Sequence, residues 1–83
     1  MKELKIFTKS YCPFCHRALD LLNELNVTFN NIEVDNGNEE WEELKEKTGH
    51  MTVPMIFIGD ELIGGFDDLQ DLHNSGKLND KLQ

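Results

Sequence analysis

Leu4-Lys5-Ile6-Phe7-Thr8 is a short run of β-type residues, and the Lys9-Ser10-Tyr11-Cys12 stretch after it has no periodicity and reads as a loop. Ala18, Leu21, Leu22 and Leu25 then recur at helical spacing, which predicts an amphipathic helix from Pro13 to Leu25. Pro13 suits its first turn, where a missing N–H leaves no bond unmade. Val27 to Val34 alternates imperfectly through Val27, Phe29, Ile32 and Val34 and is expected to be a second strand. Asn36, with Glu39 three residues on, has the spacing of a capping box for a helix that buries Trp41 and Leu44 and stops at Gly49. The acidic faces of that helix are read as solvated, with Glu43 and Lys47 as an i, i+4 pair.

Val53 to Ile58 and Glu61 to Ile63, joined by Gly59-Asp60, predict an antiparallel hairpin that Gly64-Gly65 ends. Asp67, with Gln70 three residues later, is expected to cap a last helix that carries Leu69 and Leu72 and closes at Gly76. The order is therefore β-α-β-α-β-β-α. A right-handed βαβ crossover makes the first two strands parallel and the hairpin adds an antiparallel pair. The fold class is α/β, with a mixed four-stranded sheet flanked by helices.

Composition narrows the function. At 83 residues and 39% hydrophobic content there is material for one small core, so residues 1–83 are expected to form a single domain. The longest apolar run, Met55 to Ile58, is far short of the roughly 20 residues a spanning helix needs. The start Met1-Lys2-Glu3-Leu4-Lys5 lacks an apolar segment of signal-peptide length, so a cytoplasmic location is expected and no membrane partner. The net charge of −8 argues against nucleic acid, which needs clustered Lys and Arg. Lys2, Lys5, Lys9 and Arg17 nevertheless gather in the first 17 residues against Glu3 alone, and that stretch holds both cysteines.

Cys12 and Cys15 are spaced C-x-x-C at the start of a predicted helix, and three chemistries compete for that spacing. Structural zinc needs four ligands, and His16, His50 or His73 would have to complete the set without an H-x₃₋₅-H pattern. Covalent c-type haem is met literally by Cys12-Pro13-Phe14-Cys15-His16, with Met51 or Met55 as a second axial ligand, but it leaves the order of elements unexplained. A redox dithiol uses every local feature. Side chains at i and i+3 of a helix stand about 5–6 Å apart at Cβ, within reach of disulfide geometry after modest adjustment. A helix N-terminus carries roughly half a positive charge, so Cys12 at the entrance should be the nucleophilic thiolate and Cys15 the resolving thiol. Lys9 would add positive charge if its ammonium folds toward the sulfur.

The stretches Thr8-Lys9-Ser10-Tyr11-Cys12-Pro13-Phe14-Cys15, Thr52-Val53-Pro54 and Gly64-Gly65-Phe66-Asp67-Asp68-Leu69, in this order, resemble the glutaredoxin family of the dithiol type, with its thioredoxin-like fold. The resemblance covers essentially the whole chain. It implies glutathione as co-substrate, with reduction of protein–glutathione mixed disulfides and protein disulfides through Cys12 and Cys15 and no metal. It implies a cis Val53–Pro54 bond that turns the Val53 backbone toward the cysteines to pair with glutathione. It also implies a γ-glutamyl carboxylate seated at Phe66 and Asp67 with Gly65 allowing close approach, and further substrate contacts from Lys9, Tyr11 and Thr52. A monomer is expected, serving glutathionylated or disulfide-containing proteins.

The chain departs from the family where a basic residue often precedes Thr-Val-Pro and Arg or Gln follows it, since Met51 and Met55 stand there. The ordinary reading of both methionines is packing. Phe14 replaces the commoner tyrosine. These departures keep an alternative open, a glutaredoxin-like redoxin reduced by thioredoxin reductase and donating electrons to ribonucleotide reductase. A non-enzymatic alternative is an iron–sulfur carrier built from Cys12 of two chains and two glutathiones.

Overall fold

A computed structural model describes residues 2–83. Its elements are β1 (Leu4–Thr8), α1 (Pro13–Glu24), β2 (Phe29–Glu33), α2 (Glu39–Thr48), β3 (Met55–Ile58), β4 (Glu61–Gly64), α3 (Phe66–Asn74) and α4 (Leu78–Leu82). The four strands form one sheet in the order β2-β1-β3-β4, with β1 parallel to β2 and antiparallel to β3, and β3 antiparallel to β4.

Period-two alternation divides the core between the two faces of the sheet. Leu4, Ile6, Ile56 and Ile58 face α1, α3 and α4 through Ala18, Leu22, Leu69, Leu78 and Leu82. Phe7, Met55 and Phe57 face the other way, onto Trp41 of α2 and Val34. All four residues of β3 are buried, as a strand covered on both faces requires. The imperfect alternation of β2 has the same origin. It is an edge strand that gives Phe29 to one cluster and Ile32 to the other.

Several boundaries differ from the sequence expectation. The strand β2 is shorter than Val27 to Val34, because Asn26 adopts a positive φ of 57° and turns the chain before Phe29. The cap of α2 is Asn38, not Asn36: a turn closed by the Gly37 amide on the Val34 carbonyl comes first, and Asn38 Oδ1 then accepts from the Trp41 amide at 2.9 Å. Among the described residues Glu43 and Lys47 do not form an ion pair; Lys45 instead reaches Glu42 at 3.1 Å. Asp67 is not the cap of α3 either. Gly65 occupies that position, and the carboxylate of Asp68 accepts from the Gly65 amide at 2.9 Å. A last helix, α4, was not expected at all; it buries Leu78 and Leu82.

Strand directions decide where the loops meet. Phe7 pairs with Met55 and Ile56 pairs with Gly64, so the exit of β1, the entry of β3 and the exit of β4 share one edge of the sheet. Parallel pairing of Thr8 with Glu33 brings the exit of β2 to the same edge.

Candidate functional site

The chain leaves β1 through a turn in which the Cys12 amide donates to the Lys9 carbonyl at 3.1 Å. Cys12 is then the N-cap of α1, in extended conformation, with Pro13 following at the first helical position. Its sulfur accepts from the Cys15 amide at 3.2 Å and lies 3.8 Å from the carbonyl oxygen of Val53. No acidic residue stands in the first turn of α1, so the free amides and the helix dipole act on that sulfur unopposed by their own helix.

Both cysteines are free thiols, and their surroundings differ. Cys12 is 9% exposed, whereas Cys15 is 0% exposed. Burial pushes the Cys15 thiol up to about 12, and its hydrogen bond with Cys12 adds to the rise. The arrangement therefore offers one slightly exposed cysteine at a helix N-terminus and one fully buried cysteine three residues behind it.

Beside Cys12, the Val53–Pro54 peptide bond is cis. A groove of about 230 Å³ runs from there to α3, lined by Phe14, His50, Thr52, Val53, Pro54, Gly65, Phe66, Asp67 and Asp68. Its walls come together where Gly65 faces Pro54: a Cβ built on Gly65 would lie 3.7 Å from the Pro54 carbonyl oxygen, an ordinary van der Waals contact. The rings of Phe14 and Phe66 meet at 6.4 Å between centroids. The groove thus gathers Thr52, Val53, Pro54, Gly65, Phe66 and Asp67, all expected substrate contacts, next to Cys12.

Lys9 and Tyr11 lie outside the groove lining. The Lys9 ammonium stands 5.1 Å from the centroid of the Trp41 ring and 6.0 Å from that of Tyr11, so aromatic faces hold it. Of the two methionines, Met55 packs in the core as expected, but Met51 is 64% exposed and is not a packing residue. Sequence reasoning found no strong argument for His50, which lines the groove with its Nε2 at 3.4 Å from the Thr52 hydroxyl. It also missed Ser10 and Asp35 and weighed His16 only as a zinc or haem ligand, whereas the three hold the turn ahead of Cys12. The signal available for Asp35 was positional, because it follows β2 where Ser10 follows β1. Among the described residues, no three or more His, Cys, Asp and Glu side chains gather as a metal-binding group.

The family profile described as glutaredoxin matches residues 4–63. The chain is 41% identical to glutaredoxin 3 of Escherichia coli K12 over 83 residues, covering 100% of both chains. It is 47% identical over 76 residues to a tomato (Solanum lycopersicum) glutaredoxin, covering 88% of this chain and 70% of the relative. Among solved structures, the buckwheat glutaredoxin–glutathione complex superimposes with a TM-score of 0.87 at 36% identity, covering 98% of this chain and 76% of that one. The dithiolic glutaredoxin of Trypanosoma brucei brucei gives a TM-score of 0.87 at 34% identity, covering 99% and 88%.

Proposed function

The chain belongs to the glutaredoxin family of thiol–disulfide oxidoreductases, and from that premise we propose that it reduces protein–glutathione mixed disulfides and protein disulfides with glutathione as co-substrate. The observation that carries the reading is the pairing of Cys12, slightly exposed and with its sulfur supplied with an amide donor at 3.2 Å, with a fully buried Cys15. The Cys12 thiolate attacks the glutathione sulfur of the mixed disulfide. The old S–S bond breaks, the protein sulfur leaves as thiolate and takes a proton, and Cys12 keeps the glutathionyl group. The thiolate of a second glutathione attacks that group, giving glutathione disulfide and freeing Cys12. With a protein disulfide, Cys12 forms the mixed disulfide and one protein thiol leaves; Cys15, after losing its proton, attacks the Cys12 sulfur, the second protein thiol leaves, and two glutathiones then reduce the Cys12–Cys15 disulfide and depart as glutathione disulfide.

The groove supports the choice of co-substrate. The Val53 backbone lies beside Cys12, where an extended cysteinyl segment could pair with it in β-fashion. The free amides of Phe66 and Asp67 at the start of α3 suit the γ-glutamyl carboxylate, and Asp67 suits the adjacent ammonium. The glutathione complex of the buckwheat relative points the same way. Thr52 in the groove wall and Lys9 and Tyr11 outside it complete the proposed contacts.

One observation favours the second reading, electron supply from thioredoxin reductase: exposed Met51 places an apolar side chain where the family often has a cation. Turnover of a glutathionylated peptide with glutathione, glutathione reductase and NADPH tests the proposal. Steady NADPH oxidation is expected; turnover only with thioredoxin reductase would replace the first reading by the second.

A further inference from the structure

Ser10 has every polar group engaged. Its amide donates to Oδ1 of Asp35 at 2.8 Å, its hydroxyl donates to Oδ2 of the same carboxylate, and Nε2 of His16 stands 2.8 Å from its carbonyl oxygen. The sheet register creates this contact. Thr8 pairs with Glu33 in parallel, and the Val34 amide donates to the Thr8 carbonyl at 2.8 Å, so the ladder continues until Ser10 stands beside Asp35.

Ser10 lies inside the turn that delivers Cys12 to α1. The same turn supplies the Lys9 carbonyl to the Cys12 amide at 3.1 Å. Asp35 therefore holds, from just beyond the end of β2, the short segment that leads into Cys12. We propose that Asp35 is a positioning residue, whose two-point grip on Ser10 fixes the Lys9–Cys12 turn and so keeps the Cys12 sulfur at the N-terminus of α1 for attack.

Both Ser10 bonds hold the Asp35 carboxyl below its ordinary range, and the nearby Lys9 ammonium acts in the same direction, so the acceptor stays ionised at neutral pH. A negative charge here also has an opposing effect, since it disfavours a thiolate close by; Asp35 helps to push the Cys15 thiol up. Geometry and charge thus act on the site with opposite signs, and substitutions can separate them. Asp35→Asn keeps an oxygen for the Ser10 amide and a polar partner for its hydroxyl while removing the charge. Asp35→Ala removes both.

The inference rests on Cys12 as the nucleophile but not on the identity of the co-substrate, so the readout is alkylation of Cys12 by iodoacetamide, measured against pH in the full reduced chain. Asp35→Asn should react at least as fast as the parent. Asp35→Ala should react about fivefold slower than Asp35→Asn, as loss of the neutral hydrogen bonds that asparagine still makes to Ser10 implies. Ser10→Ala, which keeps the charge and the amide bond, should be about twofold slower than the parent. Circular dichroism checks folding, and the Asn and Ser10→Ala variants decide alone if Asp35→Ala does not fold. Asp35→Ala as fast as Asp35→Asn, or Ser10→Ala as fast as the parent, overturns the proposal. Failure of the glutathione reading would appear separately, as absent turnover with this alkylation pattern intact.

Discussion

The sharpest consequence of the structure concerns Cys15, and replacing Cys12 by serine exposes it. Burial is the largest cause of the rise of the Cys15 thiol from 9.0 to about 12, and the hydrogen bond with Cys12 comes second. Near pH 7 a thiol at about 12 is ionised in roughly one molecule in 10⁵, against roughly one in 10² for a thiol at 9.0. In Cys12→Ser a hydroxyl replaces the Cys12 thiol while the burial remains, so at least part of that thousandfold deficit survives. Cys15 should then react with iodoacetamide at least about tenfold more slowly than the same cysteine in the unfolded chain. Its rate should climb with each added pH unit well beyond the range in which an open thiol levels off. The mirror variant, Cys15→Ser, should be alkylated at Cys12 rapidly at neutral pH. Mass spectrometry of timed, quenched reactions measures both, with the same variants in denaturing guanidinium as the unfolded reference. If Cys15 in folded Cys12→Ser reacts as fast as in guanidinium, burial does not control it, and the division of labour between nucleophile and resolving thiol fails.

Two further predictions test how the site is held in place. Gly64→Ala should destabilise the protein by about 1–3 kcal/mol, because φ is 122° there and a Cβ would collide with the Asp68 carboxylate that accepts from the Gly65 amide; urea denaturation reads the loss, and an unchanged midpoint would count against the rigidity of that corner. Asn38→Ala should cost about 1 kcal/mol, because Asn38 Oδ1 caps the Trp41 amide at 2.9 Å, and unfolding followed by the fluorescence of Trp41 checks it.

What was legible in the chain was whatever local spacing could encode. The strand β1 and the apolar stripe of α1 follow from a period of two and a period of 3.6, and the C-x-x-C spacing lies wholly inside one helical turn. The errors fall where two neighbouring residues compete for one role. Asn36 and Asn38 are both good caps, and the positive φ of Gly37 gives the first to a turn and the second to the helix. Asp67 and Asp68 compete likewise, and a glycine cap with a carboxylate three residues on satisfies the Gly65 amide through Asp68. The five residues of α4 are too few to display a period, and packing of Leu78 and Leu82 against the core identifies them as helix.

The candidate site depends on a second kind of information, the register between strands. Ser10 and Asp35 are 25 positions apart, and Cys12 and Val53 are 41 apart; neither pair can be read from spacing. They meet because β1 runs parallel to β2 and antiparallel to β3, which brings two strand exits and a strand entry to one edge of the sheet. A slip of one residue in the β1–β2 pairing would send Phe7 to the wrong face and part Ser10 from Asp35 together. The same burial that fixes the core register, with Phe7 at 0% exposure, therefore also fixes the turn that carries the reactive sulfur.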